Sequence, residues 1–320
     1  MVYFCLYWTG LEWLLARLIR VDATAILMYH GVCDNSAMPS HINFHHNRRM
    51  FERQMRLLKR RYRVVPLQEV VDALARKQAL KKSVVLTFDD GYRNNQRAVA
   101  PILERLDLPF TIFVATAYIG TDRWMPLNEV YWRWSTGELT TGEMDRHRKQ
   151  LRGRPLVESR ELVAELQTQP LAASPAAEES FAMLNWDEIQ AMARARIEFG
   201  SHTHTHCNMA AESPSQQRVE LEISKDLLEG RLNRPIRTFA YPYGRTEHMS
   251  ESSRRNVIAA GYDCAVSAEY GLVTSRTDRF CLPRLGGVGP IWTFAGEILY
   301  HFARVAASSA LARLRGYAED

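Results

Sequence analysis

Apolar residues along the chain fall into short runs separated by stretches of helical period. The runs at 24–29, 62–65, 83–88, 110–114, 197–200, 236–240, 262–266 and 280–283 have the length and the β-branched or aromatic content of buried strands. Between most of them the apolar spacing changes to one face per helical turn, which predicts helices at 51–59, 67–76, 94–106, 186–195, 214–232 and 250–260. Ser213 ahead of Pro214, and Ser250 ahead of Glu251, are suited to cap two of these helices at the N-terminus. Strand and helix alternating this often predict an α/β fold with a parallel sheet or barrel.

The segment 117–184 breaks the rhythm. It is too long for a simple connection and carries charge-rich and proline-rich stretches, so it reads as a helical insertion into a barrel spanning 23–290. Its aromatic cluster, Trp124, Tyr131, Trp132 and Trp134, suits the core of a small helical subdomain, with stacking on sugar rings or a cover over the barrel mouth as its other readings. At the N-terminus, residues 1–22 read as an amphipathic helix with Tyr7, Leu11, Leu14, Leu15 and Leu18 opposite Thr9, Glu12, Arg17 and Arg20. That face has two readings, docking onto the domain or peripheral contact with a membrane through residues 6–20. Residues 291–320 read as a further helix, with no chemistry assigned.

With 320 residues, 46% hydrophobic and 24% charged, the chain has enough apolar side chain for a sizeable core, which excludes long disorder and a rod. Lys and Arg number 41 against 36 Asp and Glu, a net charge of +5, far from the basic density of a nucleic-acid binder; no nucleic-acid partner is expected. Five scattered cysteines give no pair spaced for a zinc knuckle and no disulfide framework, and a reducing compartment fits them. No signal peptide or spanning segment is read, so the expected location is cytoplasmic, with the inner face of the membrane open to the N-terminal helix.

Three short segments carry chemistry. Thr87-Phe88-Asp89-Asp90-Gly91 puts adjacent carboxylates at the end of a buried strand, where they repel and lose hydration unless a cation joins them; a helix cap and turn is the plainer reading. Ser201-His202-Thr203-His204-Thr205-His206 follows another strand. On a helical turn His202 and His206 share a face, the spacing of two imidazoles on one zinc, with His204 outside; an extended chain would add His204. Asp plus two His is a minimal open catalytic metal site. The third segment is Phe239-Ala240-Tyr241-Pro242-Tyr243-Gly244. His30 after the first strand and Arg284 in Leu282-Pro283-Arg284-Leu285 also sit at strand ends, so all five map to the C-terminal rim, where parallel folds place their sites.

Thr-Phe-Asp-Asp-Gly, Ser-His-Thr-x-x-His and Phe-Ala-Tyr-Pro-Tyr-Gly together resemble the polysaccharide deacetylases with a NodB-homology domain, carbohydrate esterase family 4, over roughly residues 24–290. The resemblance implies a distorted (β/α)7 barrel, a divalent metal ion, usually zinc, and hydrolysis of an N-acetyl group on an amino sugar. It assigns Asp89 as general base, Asp90, His202 and His206 as metal ligands, and the Tyr243 backbone N–H as an oxyanion donor. Tyr29-His30 resembles the circularly permuted arrangement of the poly-N-acetylglucosamine deacetylases, with His30 as general acid and His301 as the competitor. Ala240 stands where many relatives have an arginine that orients the catalytic carboxylate. Arg284 is the candidate replacement, with an ordinary surface or capping role as its other reading.

The expected substrate is an N-acetylated glycan, lipid-linked or polymeric. Two rivals share the scaffold: a deformylase or other amide or imide hydrolase, and a silent carbohydrate-binding module. Cys207, next to His206, is expected as a buried structural thiol.

Overall fold

The computed structural model describes residues 2–33, 45–166, 175–287 and 289–314. Residues 167–174 of the expected insertion and 315–320 of the expected C-terminal helix lie outside the described residues.

Ten strands occur among the described residues: β1 (Thr24–Tyr29), β2 (Gly31–Cys33), β3 (His45–Asn47), β4 (Arg63–Val64), β5 (Ser83–Phe88), β6 (Thr111–Val114), β7 (Glu198–Ser201), β8 (Thr238–Ala240), β9 (Cys264–Val266) and β10 (Leu285–Gly286). Seven of them pair side by side and parallel in the order β10-β1-β5-β6-β7-β8-β9, and β4 pairs with the start of β5 outside that path. Every residue of β5 is buried, as a strand between two covered faces requires, and its two polar members are answered, Ser83 by the Thr24 hydroxyl and Thr87 by the Leu27 carbonyl. The two outer strands of the path are joined by the segment that ends in β10. Leu282 bridges Val266 of β9, with its N–H on the Ala265 carbonyl at 2.9 Å, and three residues later Leu285 and Gly286 pair with Leu27 and Met28 of β1. The sheet therefore closes on itself as a seven-membered ring, a distorted (β/α)7 barrel.

This closure corrects the strand expected at 280–283. Pro283 has no N–H to give a ladder, so the segment pairs with β9 before the proline and with β1 after it. The expected 62–65 strand shrinks to β4, outside the ring. The helix expected at 94–106 opens with a π-helical turn, Asn95–Val99, before continuing as Ala100–Arg105. Pro101, the second residue of the continuing helix, cannot donate to the carbonyl four residues back, which favours the wider turn before it. The other expected helices are present, and the Ser213 and Ser250 caps form as read, each side chain accepting a backbone N–H three residues on.

Within 117–184 the helices are Pro126–Ser135, Thr141–Gly153, Leu156–Leu166 and Pro175–Phe181. They share an apolar cluster of their own, in which Trp132 and Trp124 pack on Phe181. The single helix expected over 1–22 is instead two, Val2–Trp8 and Leu11–Leu18, because Gly10 between them takes φ 73°, a left-handed conformation that ends a helix. Tyr7 packs on the core, and the Tyr3 ring sits where Gly296 of the helix Ile291–Leu314 leaves room for it. No described helix is long and apolar enough to cross a membrane.

Candidate active site

The ends of β5, β7, β8 and β10 meet at one rim. At the end of β5 the Asp89 N–H still pairs with the Tyr29 carbonyl (2.9 Å), and the chain then turns through Asp90 (φ 76°) and Gly91 (φ 86°). After β7, Thr203 (φ 64°) and His206 (φ 58°) are also left-handed, as is Tyr243 (φ 61°) after β8. Non-glycine residues in this region cost roughly 1–2 kcal/mol each, and they gather here because the site over-determines the backbone.

Residues 202–206 form a folded loop, which corrects the helical turn read from the spacing. The two left-handed residues, not a helix, bring His202 and His206 together. Their Nε2 atoms lie 3.5 and 3.3 Å from Oδ1 of Asp90. His204 turns elsewhere, its Nδ1 2.9 Å from the Thr116 hydroxyl. The loop is pinned by a residue the motifs did not point to. Glu220, buried on the helix Pro214–Leu232, accepts from both the N–H and the hydroxyl of Thr205 at 2.8 Å each. Its sequence signal was a charge among Gln217, Leu221, Ser224 and Leu228 on the inward face of that helix.

The Asp90, His202 and His206 donors lie within 4.8 Å of one another and fit a divalent cation on two further grounds. Asp90 Oδ1 is buried with no hydrogen-bond partner, an arrangement that is costly unless something positive joins it. His202 Nδ1 is 2.8 Å from the Ala240 carbonyl, which fixes its proton there and leaves Nε2 as a lone pair towards Asp90. Burial lowers His202 to about 4, so it is neutral near pH 7. One oxygen and two nitrogen donors leave coordination positions open for reactants.

Asp89 sits beside this group and is held by Arg284, which is only 2% exposed. The guanidinium donates to both carboxylate oxygens, at 2.8 and 2.7 Å, and also to the Thr87 hydroxyl and the Ser267 carbonyl. Burial alone would raise the Asp89 carboxyl. The charge of Arg284, with His202 and His30 behind it, outweighs that and holds it below the ordinary range. Arg284 is therefore no surface or capping residue.

His30 lines the same cavity, of about 500 Å³, with Asp89, Asp90, His202, His206 and Tyr243. The Tyr243 N–H donates to no protein atom among the described residues, and its ring packs edge-on against His206 at 4.9 Å. The competitor His301 lies on the helix Ile291–Leu314 against Tyr300 and is not among the cavity's lining residues. Of the aromatic cluster, Tyr131 reaches the cavity wall and the others pack within the insertion. Cys207 is buried, and burial pushes its thiol up.

A family model described as polysaccharide deacetylase matches residues 76–265, which includes Asp89, Asp90, His202, His206 and Tyr243; His30 and Arg284 fall outside it. YxkH of Bacillus subtilis (strain 168), described as a polysaccharide deacetylase, is 22% identical over 262 residues, covering 81% of this chain and 70% of its own. Among solved structures, the deacetylase PplD of Streptococcus pyogenes aligns with TM-score 0.61 at 21% identity, over 88% of this chain and 98% of its own. IcaB of Ammonifex degensii aligns with TM-score 0.59 at 21% identity, over 87% and 97%. These structural likenesses extend the shared fold beyond the matched segment, on both sides of it. Because the family match spans more than half of the sequence and holds all three motifs, the chain belongs to the polysaccharide deacetylase family.

Proposed function

We propose that the protein is a metal-dependent hydrolase that removes the N-acetyl group from an N-acetylated amino sugar in a polysaccharide or lipid-linked glycan, releasing acetate. The observation that carries this reading is the Asp89–Arg284 pair lying in one cavity with the Asp90, His202 and His206 donors. Asp90, His202 and His206 would hold the cation, zinc in our reading, which supplies positive charge that polarises the attacking water and the acetyl carbonyl. Asp89, kept ionised by Arg284, takes the water proton as the C–O bond forms. The Tyr243 N–H donates to the oxyanion that develops on the carbonyl oxygen. His30 gives a proton to the nitrogen as the C–N bond breaks, leaving acetate and a free amine.

The test is acetate release by zinc-loaded protein from lipid-linked and free N-acetylhexosamine glycans, beside Asp89→Asn. The expected result is release by the parent and a loss on the order of 10²–10⁴-fold in the variant, with metal content unchanged. No release by the parent from any glycan, with metal bound, would overturn the reading.

A second proposal concerns place. Trp8 is 64% and Leu18 68% exposed, with Leu11, Leu14 and Leu15 also exposed and Arg17 and Arg20 beside them. Apolar side chains bordered by arginines suit the surface of an anionic bilayer. Flotation with anionic liposomes is expected for the full chain and lost on replacing Trp8, Leu11, Leu14 and Leu18 by serine; equal flotation of both would remove the proposal.

A further inference from the structure

A recess of about 450 Å³ opens beside the reaction cavity and is lined by Arg148, Lys149, Arg152, Asn208, Glu247 and His248. Arg148, Arg152, Glu247 and His248 line the reaction cavity as well, so the two spaces share a wall. Arg148 and Arg152 stand one turn apart on Thr141–Gly153, a helix of the insertion, and residues at that spacing share a helix face.

The wall carries more positive charge than its surroundings neutralise. Arg148 pairs with Asp145 at 2.7 Å. No carboxylate pairs with Arg152 among the described residues; its guanidinium lies over the Tyr243 ring, 5.5 Å from the centroid. Lys149 is exposed, and Glu247 is the one acid lining the recess. The Nε atoms of both arginines are buried without a hydrogen-bond partner. Buried N–H donors left open in this way cost free energy unless a ligand takes them up. Arg245, by contrast, is answered by Glu269 at 3.7 Å.

Resting on the deacetylase reading, we infer that this recess is a subsite for a phosphate group esterified to the amino sugar, so that the substrate is a phosphate-linked N-acetylhexosamine rather than a neutral glycan. Two guanidiniums and an ammonium offer many donors and no acceptor. A phosphate, with several charged oxygens around a tetrahedral centre, uses that set more fully than one planar carboxylate does, and guanidinium forks match it two bonds at a time. The Tyr243 contact ties Arg152 to a residue that lines the reaction cavity, as Arg152 itself does, so the phosphate would be bound next to the sugar and not at a remote surface. A nucleotide-linked and a lipid-linked sugar share this chemistry.

Two readouts separate the subsite from the reaction. In the full chain before metal loading, so that the anion does not report the cation, inorganic pyrophosphate is titrated by calorimetry into the parent, R148M/R152M and R148K/R152K. Binding by the parent that is lost in the methionine pair and kept in the lysine pair supports the subsite. R152Q alone serves if the double variant fails to fold. No binding by the parent, or equal binding by the methionine variant, overturns it. In zinc-loaded protein, kcat/KM is then compared for a neutral N-acetylglucosamine oligomer, a nucleoside-diphosphate N-acetylhexosamine and a polyprenyl-diphosphate-linked one. The ratio of phosphate-bearing to neutral substrate is expected to fall at least about 10-fold in R148M/R152M through KM, the size of one lost charge-assisted contact. An unchanged ratio overturns the inference, and the better phosphate-bearing arm identifies the source. Pyrophosphate binding without acetate release would sink the deacetylase reading and leave the subsite standing.

Discussion

The Asp89 carboxylate is pulled in two directions. Burial opposes its ionisation, and the two-pronged contact with Arg284, the largest of the opposing influences, reverses that with His202 and His30 adding to it. Removing Arg284 leaves a buried acid uncompensated, which typically costs about 3–5 kcal/mol. Because the folded carboxyl is held below its unfolded value, its share of stability is present above that value, near pH 4, and is lost as pH falls through the folded one. Arg284→Met should therefore lower the melting temperature and move the acid limb of kcat/KM to higher pH, with Arg284→Lys restoring part of both. An acid limb that stays in place in Arg284→Met would show that Asp89 does not depend on this partner. The sequence exposed Leu-Pro-Arg-Leu as a strand end but left the arginine's role open. The missing fact was across the ring: Arg284 and Asp89 belong to segments far apart in the chain, and no local pattern states that they face each other.

At the level of the element, the histidine loop works because it is not regular. Thr203 and His206 occupy the left-handed region, and Glu220 on the neighbouring helix holds Thr205 between them. Spacing singled out the correct pair of imidazoles for an incomplete reason, since an i, i+4 relation is met by a helix and also by this doubled-back loop. Positive φ at Thr203 is invisible in a sequence, whereas a glycine would have announced it. Glu220→Ala removes both acceptor oxygens from the Thr205 N–H and hydroxyl, so the loop should loosen. Zinc affinity is expected to drop about 10–100-fold, the usual cost of disturbing the groups that orient ligands, with little change in far-ultraviolet circular dichroism. Unchanged affinity in a competition titration would show that the left-handed residues hold the loop unaided. The strands were the most legible elements: β1 and β5 begin and end where their apolar runs do, while Pro283 split the last run between two partners.

For the whole molecule, the barrel, its helical insertion and the three motifs at one rim follow from alternating strand and helix patterns. The recess behind Arg148 does not, because it depends on how helices lie against one another, whereas the break at Gly10 was announced by its glycine and passed over in favour of a continuous amphipathic face. The fold also buries histidines in number. Burial lowers His45 to about 3, and His46 and His202 to about 4, with the nearby His30 adding to the first two. In the unfolded chain these rings take protons near pH 6.5, while the folded protein does not accept them until about pH 4. The unfolded state therefore binds more protons between those values, and stability should fall as pH drops through that window. A thermal midpoint of the metal-free protein that declines from pH 7 to 4.5 would match; a flat one would show that these rings titrate normally.

Closure of the ring by the segment from Leu282 to Gly286 sets an order in time as well as in space. A chain emerging from the ribosome exposes Asp89 early, and by the time both histidines of the loop are out, the donors for the cation are complete. The guanidinium that charges the base is still to come, since it arrives with the strand that seals β9 to β1. Assembly of the cation site can thus precede assembly of the paired base, and a nascent chain stopped before that strand would carry the ligands without the Asp89–Arg284 pair. The last barrel strand to be synthesised is the one that joins a closed fold to a charged base.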